Sequence, residues 1–293
     1  MSRKIFTPLL CIAGAGIFAL FACHHENAQE NNIMSAADSL AKAKAAAATA
    51  TADQDSEVYL LPSPLLIATI FKNAGLSFYP DLTTKTKDAA QFTTAYDRAV
   101  NMGIYSADLS YCVLNKQSQD ATNYLNTVQS LADKMGFGSV FGASMLNRFK
   151  SNLDNTDSLA QIIGDLQMGT DTYLEANKQK YIGVLAFTGA WVESMYIGSK
   201  VYEKGKNSNV SARISEQMNI LDNLLKLLHK NEAADSKIPD LEKDLQGLQN
   251  TYGAFSEVKN YNPDSDKSIS LTPDHIDQVS KMISDLRTKL LGA

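Results

Sequence analysis

The stretch YIGVLAFTGAWVESMYIGS, residues 181–199, is the strongest indication of architecture in the chain, because as a helix it is apolar on every face. It carries a single charged residue, Glu193, and is flanked by Lys180 and Lys200. A carboxylate at the centre of a membrane span costs about 2.5–3.5 kcal/mol, and the run is only marginally long enough to span. In a soluble domain, such a helix is the central one. We therefore expect this stretch to be a core helix with Trp191 buried, whose glycines let neighbouring helices approach closely.

Three amphipathic helices are predicted downstream of this stretch. In each of them apolar residues recur at spacings of three and four, as one buried helix face requires. Thr272 followed by Pro273 is a typical helix start, Pro239 marks another, and the polar stretch 261–268 separates the two. The apolar positions are Val210, Ile214, Met218, Leu221, Leu225 and Leu228, then Ile238, Leu241, Leu245, Leu248, Tyr252 and Phe255, and finally Ile276, Val279, Ile283, Leu286 and Leu290.

Helices also account for the chain upstream, where no segment has the alternating pattern of a strand. Glycines near the expected helix ends support the boundaries, with Gly103 separating two of them. The predicted fold is all-α, a compact bundle of about eight to ten helices behind a flexible tether. The upstream helices are expected at 63–74, 87–102, 104–116, 118–135, 143–152, 156–178 and 180–204.

Three acidic residues on these helices are the weak candidates for a catalytic site. Glu193 lies in the core helix, Asp108 lies between Tyr105 and Tyr111, and Asp171 lies one turn before Glu175. A buried carboxyl group has a raised pKa and can act as a general acid or base. The alternative is structural, since buried carboxylates more often accept hydrogen bonds from neighbouring side chains. We assign no catalytic residue from the sequence.

Metal, cofactor and nucleophile motifs are lacking in the sequence. The four histidines form no Glu-x-x-His pair for a di-iron bundle and no zinc spacing, and the chain has no Gly-x-Ser-x-Gly or phosphate-binding loop. The stretch CHHE, residues 23–26, offers metal ligands only if Cys23 is a free thiol. We therefore predict no metal and no cofactor.

The amino-terminal residues have the three parts of an export signal. Arg3 and Lys4 precede an uncharged apolar run that ends at Ala22 and is too short to span a membrane. Leu20, Phe21, Ala22 and Cys23 resemble a bacterial lipobox, in which the cysteine at the cut receives fatty acyl chains such as palmitate. Residues 1–22 are therefore predicted to be a cleaved lipoprotein signal peptide, and several chains on Cys23 would anchor the protein stably. An ordinary secretory signal is the alternative.

Residues 23–57 are predicted to be a tether and residues 58–293 a single helical domain. The tether is rich in alanine and lacks bulky apolar residues at helical spacing, so it cannot offset its ordering entropy by burial. Loss of Arg3 and Lys4 takes the formal net charge from −5 to −7, and no basic cluster is present. We therefore expect no nucleic acid partner. Cys112 is the only cysteine after Cys23, which excludes an intramolecular disulfide within the domain.

Three further stretches resemble a family of uncharacterised, all-helical lipoproteins from Gram-negative bacteria. They are GIYSADLSYCVLNKQSQDATNYLNTVQSLADKMG from Gly103, DTYLEANKQ from Asp171 and GAWVESMYIG from Gly189. The resemblance covers roughly residues 88–204. It implies a helical fold and an outer-membrane location with a lipid anchor, facing either the periplasm or the cell surface, and it supplies no catalytic residues.

Two functions from different classes follow from these observations. The first is a non-catalytic binding or scaffold module of the cell envelope, held at the membrane through Cys23 and presenting its helices to an envelope protein or a small-molecule ligand. The second is a hydrolase or lyase that uses the acids named above on an envelope metabolite or glycan. The lack of catalytic motifs favours the first, so whether the protein is an enzyme stays open, with the balance against it.

Overall fold

The computed structural model describes residues 62–262 and 269–292, and the predicted signal peptide and tether lie outside them. The prediction of an all-α fold is confirmed: these residues form ten helices of eight or more residues and contain no β-strand. The helices are α1 (Pro64–Asn73), α2 (Ala95–Leu114), α3 (Ser118–Lys134), α4 (Ala143–Lys150), α5 (Thr156–Ala176), α6 (Lys180–Gly205), α7 (Ser208–Met218), α8 (Leu221–Lys230), α9 (Ile238–Ala254) and α10 (Pro273–Leu290).

Helix α6 is the predicted core helix and runs through the middle of the bundle. Seventeen of its 26 residues are buried, and Trp191 and Glu193 are completely enclosed. Helix α2 lies along it, α10 and α7 pack against other parts of its surface, and α1 contacts it as well. A helix surrounded in this way needs apolar residues on all sides, which is the pattern that the sequence has.

Helices α2 and α6 approach each other closely at two glycines. A Cβ atom on Gly103 would lie 1.7 Å from the carbonyl oxygen of Ala186, and one on Gly189 would lie 2.0 Å from that of Val100. The prediction of a helix break at Gly103 is therefore wrong. This glycine lies inside α2 because the backbone of α6 occupies the space of a side chain.

Two other predicted boundaries differ from the structure. The helix predicted to begin at residue 87 begins at Ala95, where the Thr94 side chain accepts a hydrogen bond from the Asp97 amide at 3.0 Å. The helix predicted over residues 210–228 is divided by a turn at Asn219 and Ile220, since the spacing of three between Met218 and Leu221 also permits two consecutive helices. The predicted cap at Thr272 is present, at 3.4 Å from the His275 amide.

Residues 74–94 connect α1 to α2 without an α-helix and contain two short 3₁₀ turns, Pro80–Leu82 and Ala89–Gln91. Tyrosines from neighbouring helices bind the backbone of this segment. The Tyr111 hydroxyl donates to the Ser77 carbonyl at 2.7 Å and accepts from the Tyr79 amide at 2.8 Å, and Tyr124 donates to the Thr84 carbonyl at 2.8 Å. The segment is thus fixed over α2 and α3, and it brings Thr84 into the core.

Candidate functional site

Two of the three candidate acids meet in the centre of the bundle. Asp108 on α2 and Glu193 on α6 are both fully buried, and both bind Thr84 of the 74–94 segment. Arg287 of α10 completes the group. We call these four residues the acid cluster.

Glu193 forms an ion pair with Arg287. The guanidinium Nε donates to Glu193 Oε2 at 2.5 Å, and Nη2 donates to Oε1 at 2.9 Å. The Thr84 hydroxyl accepts from the same Nη2 at 2.6 Å and donates to Oε1 at 3.2 Å. The pKa of Glu193 lies above its ordinary value, because burial raises it more than the bonds from Arg287 and Thr84 lower it. The two-bond contact with a guanidinium is the geometry of an ionised carboxylate.

Asp108 has no cation of its own. Its Oδ2 accepts from the Thr84 amide at 3.0 Å, and its Oδ1 is buried without any hydrogen-bond partner that could donate to it. Burial, and then the negative charge of Glu193, raise the pKa of Asp108 well above its ordinary value. A proton on Asp108 removes the charge that burial and the neighbouring Glu193 both disfavour. With Asp108 protonated and Glu193 paired to Arg287, the acid cluster carries no net charge.

Aromatic rings lie beside the acid cluster. The Arg287 guanidinium lies 4.0 Å from the centre of the Tyr196 ring, a cation–π contact. Tyr105 stacks on Tyr124 at 6.2 Å on the side of Asp108, and burial raises the pKa of Tyr105 to about 12. The Arg287 side chain keeps only 14 % of its surface exposed.

The third acid, Asp171, is not part of the acid cluster. It lies on α5 with its side chain exposed, one turn before Glu175. Glu175 pairs with Lys180 at 2.6 Å. Burial of part of its carboxyl group, and then the charge of Glu175, raise the pKa of Asp171.

Asp171 lies at the rim of a cleft of about 110 Å³ between α5 and the α2–α6 pair, which we call the apolar cleft. Three hydroxyl groups in it are already bound, since Ser106, Ser110 and Thr170 each donate to the carbonyl one turn earlier, at 2.7–2.8 Å. The surface offered to a ligand is thus mainly hydrocarbon, with Gln167 and Asp171 at the rim. The apolar walls are Leu109, Val128, Phe141, Ile163, Leu166 and Phe187.

Among the described residues, one group of side chains has the spacing of a metal site. His229 Nδ1 lies 3.4 Å from Glu232 Oε2 and 3.3 Å from Glu242 Oε1. No spacing in the sequence predicts this group, because Glu242 comes from a different helix. The side chains of His229 and Glu232 are exposed, and such groups are common on protein surfaces without a metal.

Two members of the acid cluster were not predicted from the sequence. Arg287 lies four residues after Ile283 and three before Leu290, so the apolar spacing of α10 places it on the buried face. A cation in that position signals a buried acid on a neighbouring helix. Thr84 lies in an irregular segment and has no such signal.

No family model, curated protein or solved structure matches the chain. In the part of the chain that the structure describes, no helix is both long and apolar enough to cross a membrane, α6 included.

Proposed function

We propose that this protein is a lipid-anchored binding module of the cell envelope, in which the buried acids stabilise the fold and the surface clefts bind ligand. The proposal joins the export signal and lipobox-like residues of the sequence to the geometry of the helical domain. It agrees with the resemblance to uncharacterised helical lipoproteins. A role as a scaffold for an envelope protein belongs to the same class.

The observation that carries this proposal is the complete burial of Asp108 and Glu193. A general acid or base must come within hydrogen-bond distance of the atom that it protonates or deprotonates. Both carboxyl groups have no exposed surface, and Thr84 and Arg287 occupy the bonds of Glu193. Neither residue lines the apolar cleft. A substrate therefore has no route to these groups in this conformation.

The second candidate, a hydrolase or lyase, is supported by one feature of the acid cluster. The pKa of Asp108 is raised beside Glu193, which is paired with Arg287, and two carboxyl groups whose pKa values differ supply an acid and a base in many active sites. The same arrangement also arises when two buried acids share one cation. Burial favours the structural role.

The apolar cleft is the ligand site that we assign to the module. Its volume is close to the ~150 Å³ of an apolar cavity that binds benzene, so it fits a small aromatic or branched aliphatic group. Lys180 pairs with Glu175, and Asp171 at the rim forms no ion pair with any described residue. A ligand with an apolar body and an ammonium head matches both features.

Binding of toluene and benzylamine tests this assignment. We expect both to bind, and benzylamine to bind about threefold more tightly, since an exposed ion pair contributes up to about 1 kcal/mol. Asp171→Asn should remove that difference. Ser106→Leu fills the cleft and should abolish binding of both compounds, whereas Ser130→Leu on the exposed face of α3 should not. Titration calorimetry of the helical domain measures each value, and binding that persists in Ser106→Leu contradicts the assignment.

Replacement of Cys23 by Ser tests the anchor. The variant should leave the membrane fraction and should no longer incorporate a fatty-acid probe, because serine lacks the sulfur to which the lipid is attached. Fractionation of bacteria that express the full chain measures this directly. Membrane association that is unchanged in the variant would point to an ordinary secretory signal and remove the anchor from the proposal.

A further inference from the structure

A second cleft lies on the surface between the start of α2, the start of α9 and the end of α10. Its volume is about 490 Å³, within the range of sites that hold small metabolites. We call it the polar groove. The polar side chains of its lining include Tyr96, Asn101, Lys237, Asp240 and Lys289.

The lysines of the polar groove are already engaged with the protein. Lys237 pairs with Asp97 at 2.7 Å, and Lys289 pairs with Asp244 at 2.5 Å. Lys87 donates to the Leu291 carbonyl at 2.8 Å. These cations join the helices around the groove, and they are not free to bind an anionic ligand.

Two polar groups of the groove are mostly buried and have no partner among the described residues. Asn101 is 1 % exposed, and its Nδ2 donates to the carbonyls of Asp97 and Leu290, while its Oδ1 accepts nothing. Tyr96 is 8 % exposed, and its hydroxyl makes no hydrogen bond. Buried polar atoms are normally satisfied, so Asn101 Oδ1 is an exception that points to a missing partner, whereas the Tyr96 hydroxyl is not enclosed and is open to a ligand.

Three lysines and three aspartates line the groove, so its formal charge is balanced. Burial, and then the charges of Asp97, Asp235, Asp244 and Asp240, raise the pKa of the Tyr96 hydroxyl. Asp97 and Asp244 are paired with lysines, whereas Asp240 forms no ion pair with any described residue and is exposed to the groove. The groove therefore offers an unpaired carboxylate, a phenol and an amide oxygen.

We propose that the polar groove is a second binding site, for a small organic amine that also carries hydroxyl groups, the chemistry of an amino sugar. The ammonium group pairs with Asp240, and hydroxyl groups bind the Tyr96 hydroxyl and donate toward Asn101 on the floor. A ligand without donors leaves both acceptors unsatisfied, and an anion meets Asp240 without a free lysine to offset it. This site is separate from the apolar cleft and does not depend on the function proposed above.

Glucosamine and glucose are the probes that test the proposal, titrated into the helical domain and followed by saturation-transfer NMR and calorimetry. Glucosamine should bind, and glucose should bind about fivefold more weakly because it lacks the ammonium group. Asp240→Asn should weaken glucosamine about fivefold and leave glucose unchanged. Tyr96→Phe keeps the ring and should weaken both sugars by a similar factor. Asp165→Asn makes the same change of charge on exposed α5 and should have no effect.

Three results would overturn the proposal. They are no binding of glucosamine at millimolar concentration, equal binding of glucosamine and glucose, or binding that Asp240→Asn and Tyr96→Phe both leave unchanged. Asp240 is exposed, so its variant should fold normally, and an unchanged circular dichroism spectrum checks this. The midpoint of urea unfolding serves as an independent measure of folding in every variant.

Discussion

Asp108 and Glu193 carry the same functional group in one buried site, and their surroundings give them different protonation states. Glu193 receives two of the three hydrogen bonds that the Arg287 guanidinium donates, which is the geometry of an ionised carboxylate, whereas Asp108 receives one backbone amide and its pKa is raised. Two carboxylates beside a single cation would leave an unpaired buried charge, which is costly. Burial of both acids beside one cation thus favours a proton on Asp108, and this proton needs no catalytic explanation.

The raised pKa of Asp108 gives stability a defined pH dependence. Asp108 loses its proton near pH 4 in the unfolded chain and at a higher pH in the folded protein. Its contribution to the free energy of unfolding is therefore complete below about pH 4 and falls as pH rises. In Asp108→Asn the side chain keeps its shape and gains an amide donor in place of the carboxyl proton, and it no longer titrates. We expect the variant to gain stability relative to the wild type as pH rises from 4 to 8, measured by urea unfolding. If the difference in free energy of unfolding between variant and wild type stays constant over this range, Asp108 does not have the raised pKa described here.

At the residue scale, the sequence predicted which acids are unusual but not what binds them. Asp108 and Glu193 were identified because each lies among apolar and aromatic residues on a helix. Arg287 follows from the spacing of α10 once its buried face is known. Thr84 does not, because residues 74–94 have no periodicity and their position depends on tyrosines from distant helices.

At the scale of elements, the contact between α2 and α6 depends on glycine at two positions. Gly103 faces the backbone of α6 and Gly189 faces the backbone of α2, so each helix lacks a side chain where the other passes. Periodicity predicted both helices, whereas a glycine that ends a helix and one that permits close packing look alike in the sequence. This ambiguity accounts for the wrong break at Gly103.

Substitution of these glycines separates packing from helix propensity. Gly189→Ala should destabilise the domain by about 1–3 kcal/mol or more, because the new methyl group meets the Val100 carbonyl. Gly247→Ala in α9 is the control, since nothing lies within 4 Å of the added methyl group, and it should stabilise by up to about 1 kcal/mol. Urea unfolding measures both. A stabilising Gly189→Ala would mean that α2 and α6 are farther apart than described.

At the scale of the whole molecule, the acid cluster joins parts of the chain that are distant in sequence. Thr84, Asp108, Glu193 and Arg287 come from the 74–94 segment, α2, α6 and α10, so the last helix is tied to the first half of the domain through one buried group. The all-α architecture and the central position of α6 were predictable, because both follow from local patterns of apolar residues. The order in which the helices surround α6 was not, since it depends on pairings between distant residues.

The central claim is that Glu193 holds this domain together as one cooperative unit. The most direct test is equilibrium unfolding of residues 58–293 at neutral pH, followed by far-UV circular dichroism and by fluorescence of Trp191, the only tryptophan and fully buried. The wild type should give one midpoint with both probes. Glu193→Gln leaves Arg287 without its charge partner and should lower the free energy of unfolding by about 3 kcal/mol with both probes together. Glu175→Gln, which breaks an exposed ion pair, should change it by less than about 1 kcal/mol. A Glu193→Gln variant as stable as the wild type, or separate midpoints for the two probes, would contradict the claim.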